Sequence, residues 1–287
     1  KKQMKKIILA VAASALIVAA CNNTPSDPAA TAPVPVKIVS LNGTVSEVLS
    51  GLNMESNIVG VDVTSVYPEN LKEKTQMGSS HSYNIEGIIA AAPDYVICTQ
   101  ERGLSPEQVT QLQQAGLKVW VLSQEYSIAG TKKLINELAD SFKKQEEAKH
   151  MIAKIDTDLA AAKATDTRPK VIFIYARGAG TLQVAGNGTP MNEMIKLANG
   201  DPAATDFNGF KPLTAEAMVA ANPDYILLFD TGLKSLEGAE GVLKVPGVAN
   251  TNAGKNKGII EMDGLKLSGF GPRVGEAVKE LSEKLHP

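Results

Sequence analysis

A stretch of 15 residues recurs without a gap 130 residues further along the chain. The first copy spans residues 83–97 and the second spans residues 213–227, and both carry an acid near the start and a Pro-Asp-Tyr sequence near the end. Each copy predicts a short helix capped by Asn84 or Thr214, ended by a proline and followed by a buried strand. A chain with two such copies is expected to form two lobes of similar build.

Short apolar runs alternate with helical stretches in both halves of the chain. The helix that begins after Ser105 has a capping serine, a proline at its first position and a glutamine three residues after the cap. A closing helix is predicted near Val274–Leu285. This alternation predicts a parallel, doubly wound α/β sheet in each lobe. The runs predicted as strands are Lys37–Leu41, Ile58–Val61, Tyr95–Thr99, Lys118–Leu122, Lys170–Tyr175, Tyr225–Phe229 and Gly258–Met262.

The segment between the two halves carries apolar residues at helical spacing and has no proline, and no glycine after Gly130. We predict one long rigid α-helix over residues 127–164, joining an N-terminal lobe, residues 36–126, to a C-terminal lobe, residues 165–287. A stiff connection predicts that cargo is clamped by a small rocking motion rather than by wide closure. The apolar positions are Ile128, Leu134, Ile135, Leu138, Phe142, Met151, Ile152, Ile155 and Leu159.

The first 20 residues are typical of a lipoprotein signal peptide. Four lysines precede an uncharged stretch of 14 residues, 7–20, and this stretch is shorter than the roughly 20 residues that cross a bilayer. Small residues precede Cys21, which predicts lipidation of this cysteine after export; an ordinary signal peptide with a chance cysteine is the alternative. Residues 21–35 contain four prolines and predict an extended tether. We therefore expect an exported, lipid-anchored protein, in the periplasm or on the outer face of the cytoplasmic membrane.

The net charge of the chain and the absence of common catalytic motifs argue against several classes of function. The whole chain has a net charge of −2, and loss of residues 1–20 removes four lysines and no acids, so the acidic body argues against nucleic acid as a partner. Cys98 is the one cysteine after Cys21, which predicts a buried thiol. The sequence has no HExxH, GxSxG or CxxC motif, and residues 178–180 lack the third glycine of a dinucleotide fingerprint. We predict no enzyme activity; a secreted α/β oxidoreductase that uses the Gly178 region is the alternative from another class.

His81 is the histidine best placed for a ligand site. It stands in a polar loop, residues 78–83, directly before the helix capped by Asn84, and loops at the carboxyl edge of a parallel sheet are where ligands bind in α/β folds. Taken alone, a loop histidine is more often a solvated side chain. His150, on the predicted linking helix, and His286, at the terminus, are badly placed for a cleft.

Tyr175 and Arg177 lie two residues apart at the end of a predicted strand. They therefore point to the same face, and the guanidinium is expected beside the phenol oxygen. A fixed cation there stabilises the phenolate, which is a hard anionic donor suited to ferric iron. The alternative is an ordinary strand-end tyrosine next to a surface arginine.

Several segments together resemble the heme-binding proteins of bacterial heme ABC importers, the HmuT type, within the larger group that carries vitamin B12 and siderophores. The likeness covers roughly residues 36–285, and it rests on the order and spacing of the segments rather than on one motif. The segments are Val61–Pro68, Asn84–Gly87, Leu182–Thr189, Phe210–Glu216 and Gly269–Val278.

The resemblance implies a class III periplasmic binding protein fold, with ferric heme as transported cargo. In one branch of the family, a histidine before an Asn-x-Glu helix and a tyrosine followed two residues later by arginine hold the iron from opposite lobes. His81, Tyr175 and Arg177 match this branch, which makes the first two the implied iron ligands and Arg177 the residue that tunes the tyrosine. In the other branch a loop tyrosine is the ligand, and Ser79 occupies that position here.

The resemblance also implies partners. One surface glutamate in each lobe docks on arginines of a dimeric ABC-transporter permease, and Glu86 and Glu216 occupy the matching positions of the repeat. Both also lie in the first turn of a helix, where a negative charge is favoured in any case. We expect a monomer that meets the membrane only through its lipid anchor. A carrier of another large chelate, a corrinoid or a ferric siderophore, is the nearest alternative.

Overall fold

A computed structural model describes residues 35–101, 103–180 and 182–287. The predicted signal peptide, Cys21 and all of the tether but Pro35 lie outside the described residues. Residues 36–287 form one compact unit. In the part of the chain that the structure describes, no helix is both long and apolar enough to span a membrane.

The N-terminal lobe is built on a five-stranded sheet of order β3-β2-β1-β6-β7, in which every neighbouring pair is parallel. A separate antiparallel hairpin, β4-β5, stands beside it. The strands are β1 (Ile38–Ser40), β2 (Ile58–Val61), β3 (Thr75–Gln76), β4 (Gly78–Ser79), β5 (Ser82–Tyr83), β6 (Tyr95–Thr99) and β7 (Lys118–Leu122). The helices are α1 (Gly43–Gly51), α2 (Ile85–Ala90) and α3 (Pro106–Gln114), with 3₁₀ turns at Glu55–Asn57 and Glu69–Glu73.

Two further helices, α4 (Ile128–Phe142) and α5 (Gln145–Ala160), follow the N-terminal lobe. The C-terminal lobe then contains β8 (Lys170–Ala176), β9 (Leu182–Ala185), β10 (Asp201–Pro202), β11 (Phe210–Pro212), β12 (Tyr225–Phe229) and β13 (Ile259–Met262). Its helices are α6 (Pro190–Leu197), α7 (Ala215–Ala221), α8 (Asp230–Ser235), α9 (Ala239–Leu243), α10 (Asn252–Asn256), α11 (Gly264–Ser268) and α12 (Val274–Leu285), with a 3₁₀ turn at Val248–Asn250.

The C-terminal sheet departs from the predicted all-parallel arrangement. Its order is β11-β9-β8-β12-β13, and β10 also pairs with β8. Strands β8, β10, β12 and β13 pair in parallel, but β9 runs antiparallel to both β8 and β11. The physical reason is the short connection between β8 and β9, since a turn of a few residues can only join antiparallel strands. The two-lobed α/β fold is otherwise confirmed.

Both copies of the repeat form the predicted helix and strand. The Asn84 and Thr214 side chains cap α2 and α7. The aspartate of each copy accepts a hydrogen bond where the first strand of its lobe begins. Asp94 Oδ2 accepts from the amide of Lys37, directly before β1, at 2.8 Å, and Asp224 Oδ2 accepts from the amide of Lys170, the first residue of β8, at 2.9 Å. The repeat therefore forms the same aspartate-to-amide hydrogen bond at the starts of neighbouring strands in each lobe.

The connecting segment forms two helices rather than the one long helix predicted over residues 127–164. Helix α4 ends at Lys143, which adopts a left-handed conformation with φ 57°. Lys132 Nζ, near the start of α4, lies 2.5 Å from Asp156 Oδ1, near the end of α5, so the two helices form an antiparallel hairpin. The sequence gives one indication of this break: Phe142 and Met151, both on the buried side, are nine positions apart. That spacing puts them about half a turn out of phase on a continuous helix.

One hydrophobic core runs through both lobes and the helical hairpin. It includes Val48 and Leu49 of α1, Ile135 of α4, Ile155 of α5 and Leu281 of α12, all at most 1% exposed. Smaller clusters fill the outer faces of the two sheets. Because α5 packs on both α1 and α12, the lobes share buried surface, as expected for a stiff connection between them.

Candidate ligand-binding cleft

A cleft of about 890 Å³ lies between the carboxyl edges of the two sheets. This volume is within the roughly 300–1,000 Å³ typical of ligand sites. The N-terminal lobe contributes Asn42, Asp62, Val63, Thr64, Ser79, Ser80, His81 and Glu101 to its lining, and the C-terminal lobe contributes Tyr175, Arg177, Gln183, Met191, Phe210, Phe229 and Ser268. The cleft therefore brings His81 together with Tyr175 and Arg177, although about 95 positions separate His81 from the other two along the chain.

His81 occupies the turn of the β4-β5 hairpin and is exposed to the cleft. Its Nδ1 lies 3.3 Å from the Ser80 hydroxyl. The hairpin is held at its base, where the Val63 amide donates to the Gly78 carbonyl at 3.0 Å. On its other strand the buried Tyr83 donates its hydroxyl to the Leu41 carbonyl at 3.2 Å. An exposed imidazole on a supported turn can reach a ligand without a change of fold.

Asp62 is a buried acid on the N-terminal wall and is 4% exposed. The Thr64 hydroxyl donates to its carboxylate at 2.7 Å from Oδ2, and the Ser65 hydroxyl donates to Oδ1 at 2.9 Å. Burial nevertheless raises the pKa of the Asp62 carboxyl, against the opposing effect of these hydrogen bonds. The acid fixes the start of the loop that follows β2, and this loop lines the cleft.

The C-terminal wall is aromatic around Tyr175. The Phe210 and Phe229 rings approach the Tyr175 ring edge to face, with centroids 6.4 Å and 6.2 Å away. Arg177 Cζ lies 5.5 Å from the centroid of the same ring, so strand alternation does put the two predicted residues on one face. The guanidinium stands against the tyrosine ring in a cation–π contact. Tyr175 is thus held between two apolar rings and a cation.

Sequence reasoning missed Phe210, Phe229 and Met191 as cleft residues. Phe229 ends β12 beside the end of β8, so the strand-end argument that selected Tyr175 would also have selected it. Phe210 is 40% exposed although it is a large apolar residue, and only the antiparallel β11 brings it to the wall. Met191 follows the proline that opens α6, and its pattern in the sequence is that of an ordinary buried helix residue.

Residues 269–273, which we call the strap, follow the cleft residue Ser268 along the chain. The strap belongs to the C-terminal lobe, but its Gly269 carbonyl accepts from Thr44 Oγ1 at 2.7 Å and from Gln124 Nε2 at 2.5 Å. The Phe270 carbonyl accepts from Thr131 Oγ1 at 2.8 Å. Three side chains from the N-terminal lobe and α4 therefore hold the strap in place.

The strap ends at Arg273, which forms a bidentate ion pair with Glu47 of α1. Arg273 Nε donates to Glu47 Oε1 at 2.8 Å and Nη2 donates to Oε2 at 2.9 Å. Burial raises the pKa of the Glu47 carboxyl against the effect of the arginine, and Glu47 is 5% exposed. Arg273 Cζ also lies 3.7 Å from the centroid of the Tyr67 ring. This cluster joins the two lobes beside the cleft.

The remaining predicted residues lie away from the cleft. Glu86 and Glu216 are exposed in the first turns of α2 and α7, and Glu216 borders an open groove with Val219. Cys98 is a buried free thiol, as predicted. His150 lies exposed on α5 and does not line the cleft, and neither does His286. After β8 the chain turns into β9 rather than into a helix, so the Gly178 region lacks the strand-to-helix turn of a dinucleotide site.

The model of a periplasmic binding protein family matches residues 38–264, which include most of both lobes. The chain belongs to the periplasmic binding protein family. The match confirms the expected fold and agrees with a ligand site between two lobes. Members of this family are solute-binding proteins rather than enzymes, so the alternative of a secreted oxidoreductase is set aside.

Three similar proteins refine this assignment. The solved structure of the periplasmic heme-binding protein RhuT from Roseiflexus sp. RS-1 has a TM-score of 0.83 and 35% identity, over 88% of this chain and 98% of that one. The ABC transporter substrate-binding lipoprotein YvrC of Bacillus subtilis (strain 168) is 29% identical over 88% of this chain and 81% of its own. A vitamin B12-binding protein of Vibrio campbellii (strain ATCC BAA-1116) is 25% identical over 58% of this chain and 60% of its own length.

These findings make the chain an extracytoplasmic substrate-binding protein of an ABC transporter. Its partners are accordingly a bound substrate and a transporter permease. The described residues contain no cluster of three or more histidine, cysteine or acidic side chains that could hold a bare metal ion.

Proposed function

We propose that this protein captures ferric heme between its lobes and delivers it to the permease of an ABC importer. The observation that carries the proposal is the placement of His81 and Tyr175 on opposite walls of one cleft, each on a different lobe. Heme iron accepts one axial ligand from each face of its ring. Two donors on facing walls suit this requirement better than two donors on one wall.

The wall around Tyr175 supplies what a porphyrin ring needs. Phe210, Phe229 and Met191 give apolar contact to a flat ring, and Tyr175 supplies the anionic oxygen that ferric iron favours. Arg177, against the Tyr175 ring, is proposed to stabilise the phenolate through its positive charge. His81, exposed in the hairpin turn, is proposed to complete the coordination from the other face.

Export and docking complete the proposal. Cys21 is proposed to carry the lipid anchor, with residues 21–35 as a tether, so that a monomeric body remains near the outer face of the membrane. Glu86 and Glu216, one on each lobe, are proposed to contact arginines of a dimeric permease. Their exposure and their matching positions in the repeat support this role.

A corrinoid is the second candidate cargo, because a vitamin B12-binding protein is among the similar proteins. Its match covers less than two thirds of either chain, whereas the heme-binding relative RhuT matches 98% of its own length. A ferric siderophore is a third large chelate of the same general kind. The candidates differ in the metal ligands that they need, and a histidine facing a tyrosine favours heme.

The test is an absorption titration of the purified protein with ferric hemin, repeated with cobalamin. We expect a shifted Soret band that saturates, together with a tyrosinate-to-iron charge-transfer band that is lost in Tyr175→Phe. Cobalamin should not compete at equal concentration. A Soret band identical to that of free hemin, with cobalamin bound instead, would overturn the assignment of the cargo.

A further inference from the structure

The two proposed iron ligands belong to different lobes, so their separation depends on contacts that bind the lobes to each other. We propose that Tyr67 and Arg273 are positioning residues: their stacked side chains fix the hairpin that carries His81 relative to the wall that carries Tyr175. This inference rests on the proposed function, in which His81 and Tyr175 bind one iron. Neither Tyr67 nor Arg273 lines the cleft.

The first step is the fixed orientation of the Arg273 guanidinium. Its two hydrogen bonds to Glu47, at 2.8 and 2.9 Å, use both carboxylate oxygens, and a bidentate pair fixes the plane of the guanidinium as well as its position. Nη1 also lies 3.7 Å from Asp263 Oδ1. Glu47 lies in α1 of the N-terminal lobe, so a side chain of the C-terminal lobe presents a flat cation at a defined place on its neighbour.

The second step is the stacking of Tyr67 on this cation. The Tyr67 ring centroid lies 3.7 Å from Arg273 Cζ, which is well inside the roughly 6 Å range of cation–π contacts. The Tyr67 side chain is 45% exposed and belongs to none of the hydrophobic clusters. Its large ring therefore does little for the core and instead stacks on a guanidinium of the C-terminal lobe.

The third step is the connection from Tyr67 to His81. Tyr67 lies in the loop that follows β2, and in the same loop the Val63 amide donates to the Gly78 carbonyl at 3.0 Å. Gly78 opens the hairpin whose turn carries His81. The Gly43 amide also donates to Thr64 Oγ1 at 2.8 Å, which ties the loop to α1. A loop anchored at Tyr67 thus holds the base of the hairpin.

The variant that tests this is Tyr67→Leu, with Tyr67→Phe as the matched control. Leucine removes the ring, whereas phenylalanine keeps the stacking face. In Tyr67→Leu we expect ferric heme to lose part of its histidine-ligated absorption and to dissociate roughly three- to thirty-fold faster. Tyr67→Phe should behave as the wild type. Val66→Ala, at a neighbouring residue that is 36% exposed, controls for a general disturbance of the loop.

A second measurement does not depend on the cargo. Amide hydrogen exchange in the heme-free protein should become faster at residues 79–82 in Tyr67→Leu and stay unchanged in Tyr67→Phe, with α4 and α5 protected in both. Wild-type exchange, spectrum and dissociation rate in Tyr67→Leu would overturn the positioning role. If wild-type protein lacks the histidine–tyrosinate spectrum, the proposed ligation fails, and the exchange data still decide whether Tyr67 holds the hairpin.

Discussion

Strands β6 and β12, which follow the two copies of the repeat, start in the same way and end differently. At their starts, Asp94 and Asp224 accept a hydrogen bond where the first strand of their own lobe begins. At their ends, the buried Thr99 hydroxyl accepts from Asn42 Nδ2 at 3.2 Å, whereas Phe229 packs on the Tyr175 ring in the cleft wall. The helix and strand of the repeat, which we call the frame, are duplicated. The residues at the carboxyl ends of the strands differ and give each lobe its own chemistry.

The two walls of the cleft follow from this difference. The N-terminal wall is mostly polar, with hydroxyl, amide and carboxylate groups near His81, and the C-terminal wall carries an aromatic cluster around Tyr175. A flat apolar ligand is therefore expected to lie mainly against the C-terminal wall and to take a single donor from the other. The following experiments test which properties belong to the shared frame and which belong to one lobe.

The largest effect is expected where the lobes act alike, at Glu86 and Glu216. Replacing both by lysine should reduce heme uptake to the background level, because both proposed contacts with permease arginines become repulsive. Each single replacement should leave part of the uptake, since one anchor persists. The measurement is uptake into vesicles that carry the cognate permease, with equilibrium heme binding as the control. Normal uptake by the double variant would leave the two acids as helix-start residues only.

A large but unequal effect is expected at the two iron ligands. Tyr175→Phe should weaken ferric heme binding by roughly a hundred-fold or more, because it removes the anionic donor from the wall that carries most of the contact. His81→Ala should cost roughly ten-fold, since the ring keeps its apolar contacts and its tyrosinate. Competition with a heme acceptor protein gives both affinities. Equal losses in the two variants would contradict the expected asymmetry between the walls.

A moderate effect of pH on stability should come from the N-terminal lobe. Burial raises the folded-state pKa of Asp62 above its ordinary value of 3.8, so the folded state holds this proton more tightly than the unfolded chain does. The free energy of unfolding should therefore fall as pH rises from the ordinary value through the raised one. Asp62→Asn should make this decline smaller, as measured by urea unfolding at several pH values.

Part of the decline should persist in Asp62→Asn, because burial raises the pKa of Glu47 as well. Both acids belong to the N-terminal lobe. An identical pH profile in wild type and variant would mean that Asp62 is charged at no cost in the folded protein.

The smallest effect is expected at the repeated aspartates. Asp94→Ala removes the hydrogen bond from the Lys37 amide, which should lower the free energy of unfolding by about 1 kcal/mol. Asp224→Ala removes the bond from the Lys170 amide and also the bond that Asn252 Nδ2 donates to Oδ1 at 2.9 Å, so the loss of stability in this variant should be larger. Chemical denaturation of the two single variants gives the comparison. Equal losses in the two variants would show that the additional bond from Asn252 does not contribute to stability.

The sequence predicted many strands and helix caps well because they depend on local signals. The bounds of β2, β6, β7, β12 and α12 match their apolar runs, and Asn84, Ser105 and Thr214 cap helices as expected. The helical hairpin was missed because its break is a left-handed lysine, Lys143, and no glycine or proline marks it. The antiparallel β9 departs from the alternation of strands and helices on which the parallel arrangement was predicted.

The site was predictable in part for a similar reason. The strand-end rule and the resemblance together selected His81, Tyr175 and Arg177, and the structure places all three in one cleft; their roles as ligands remain predictions. The strap and the Glu47–Arg273 pair could not be predicted, because the two residues are 226 positions apart. Such a contact depends on how two lobes meet, which no local pattern in the sequence encodes.

The hydrophobic core described above continues without interruption from α1 through α5 to α12. If one lobe were removed, apolar residues of the other would be exposed to water, because each lobe supplies part of the same buried cluster. The two-lobed outline therefore encloses a single thermodynamic unit. On heating, the molecule is expected to lose both lobes in one cooperative transition, and a fragment that ends at residue 126 would have to associate or aggregate rather than fold alone.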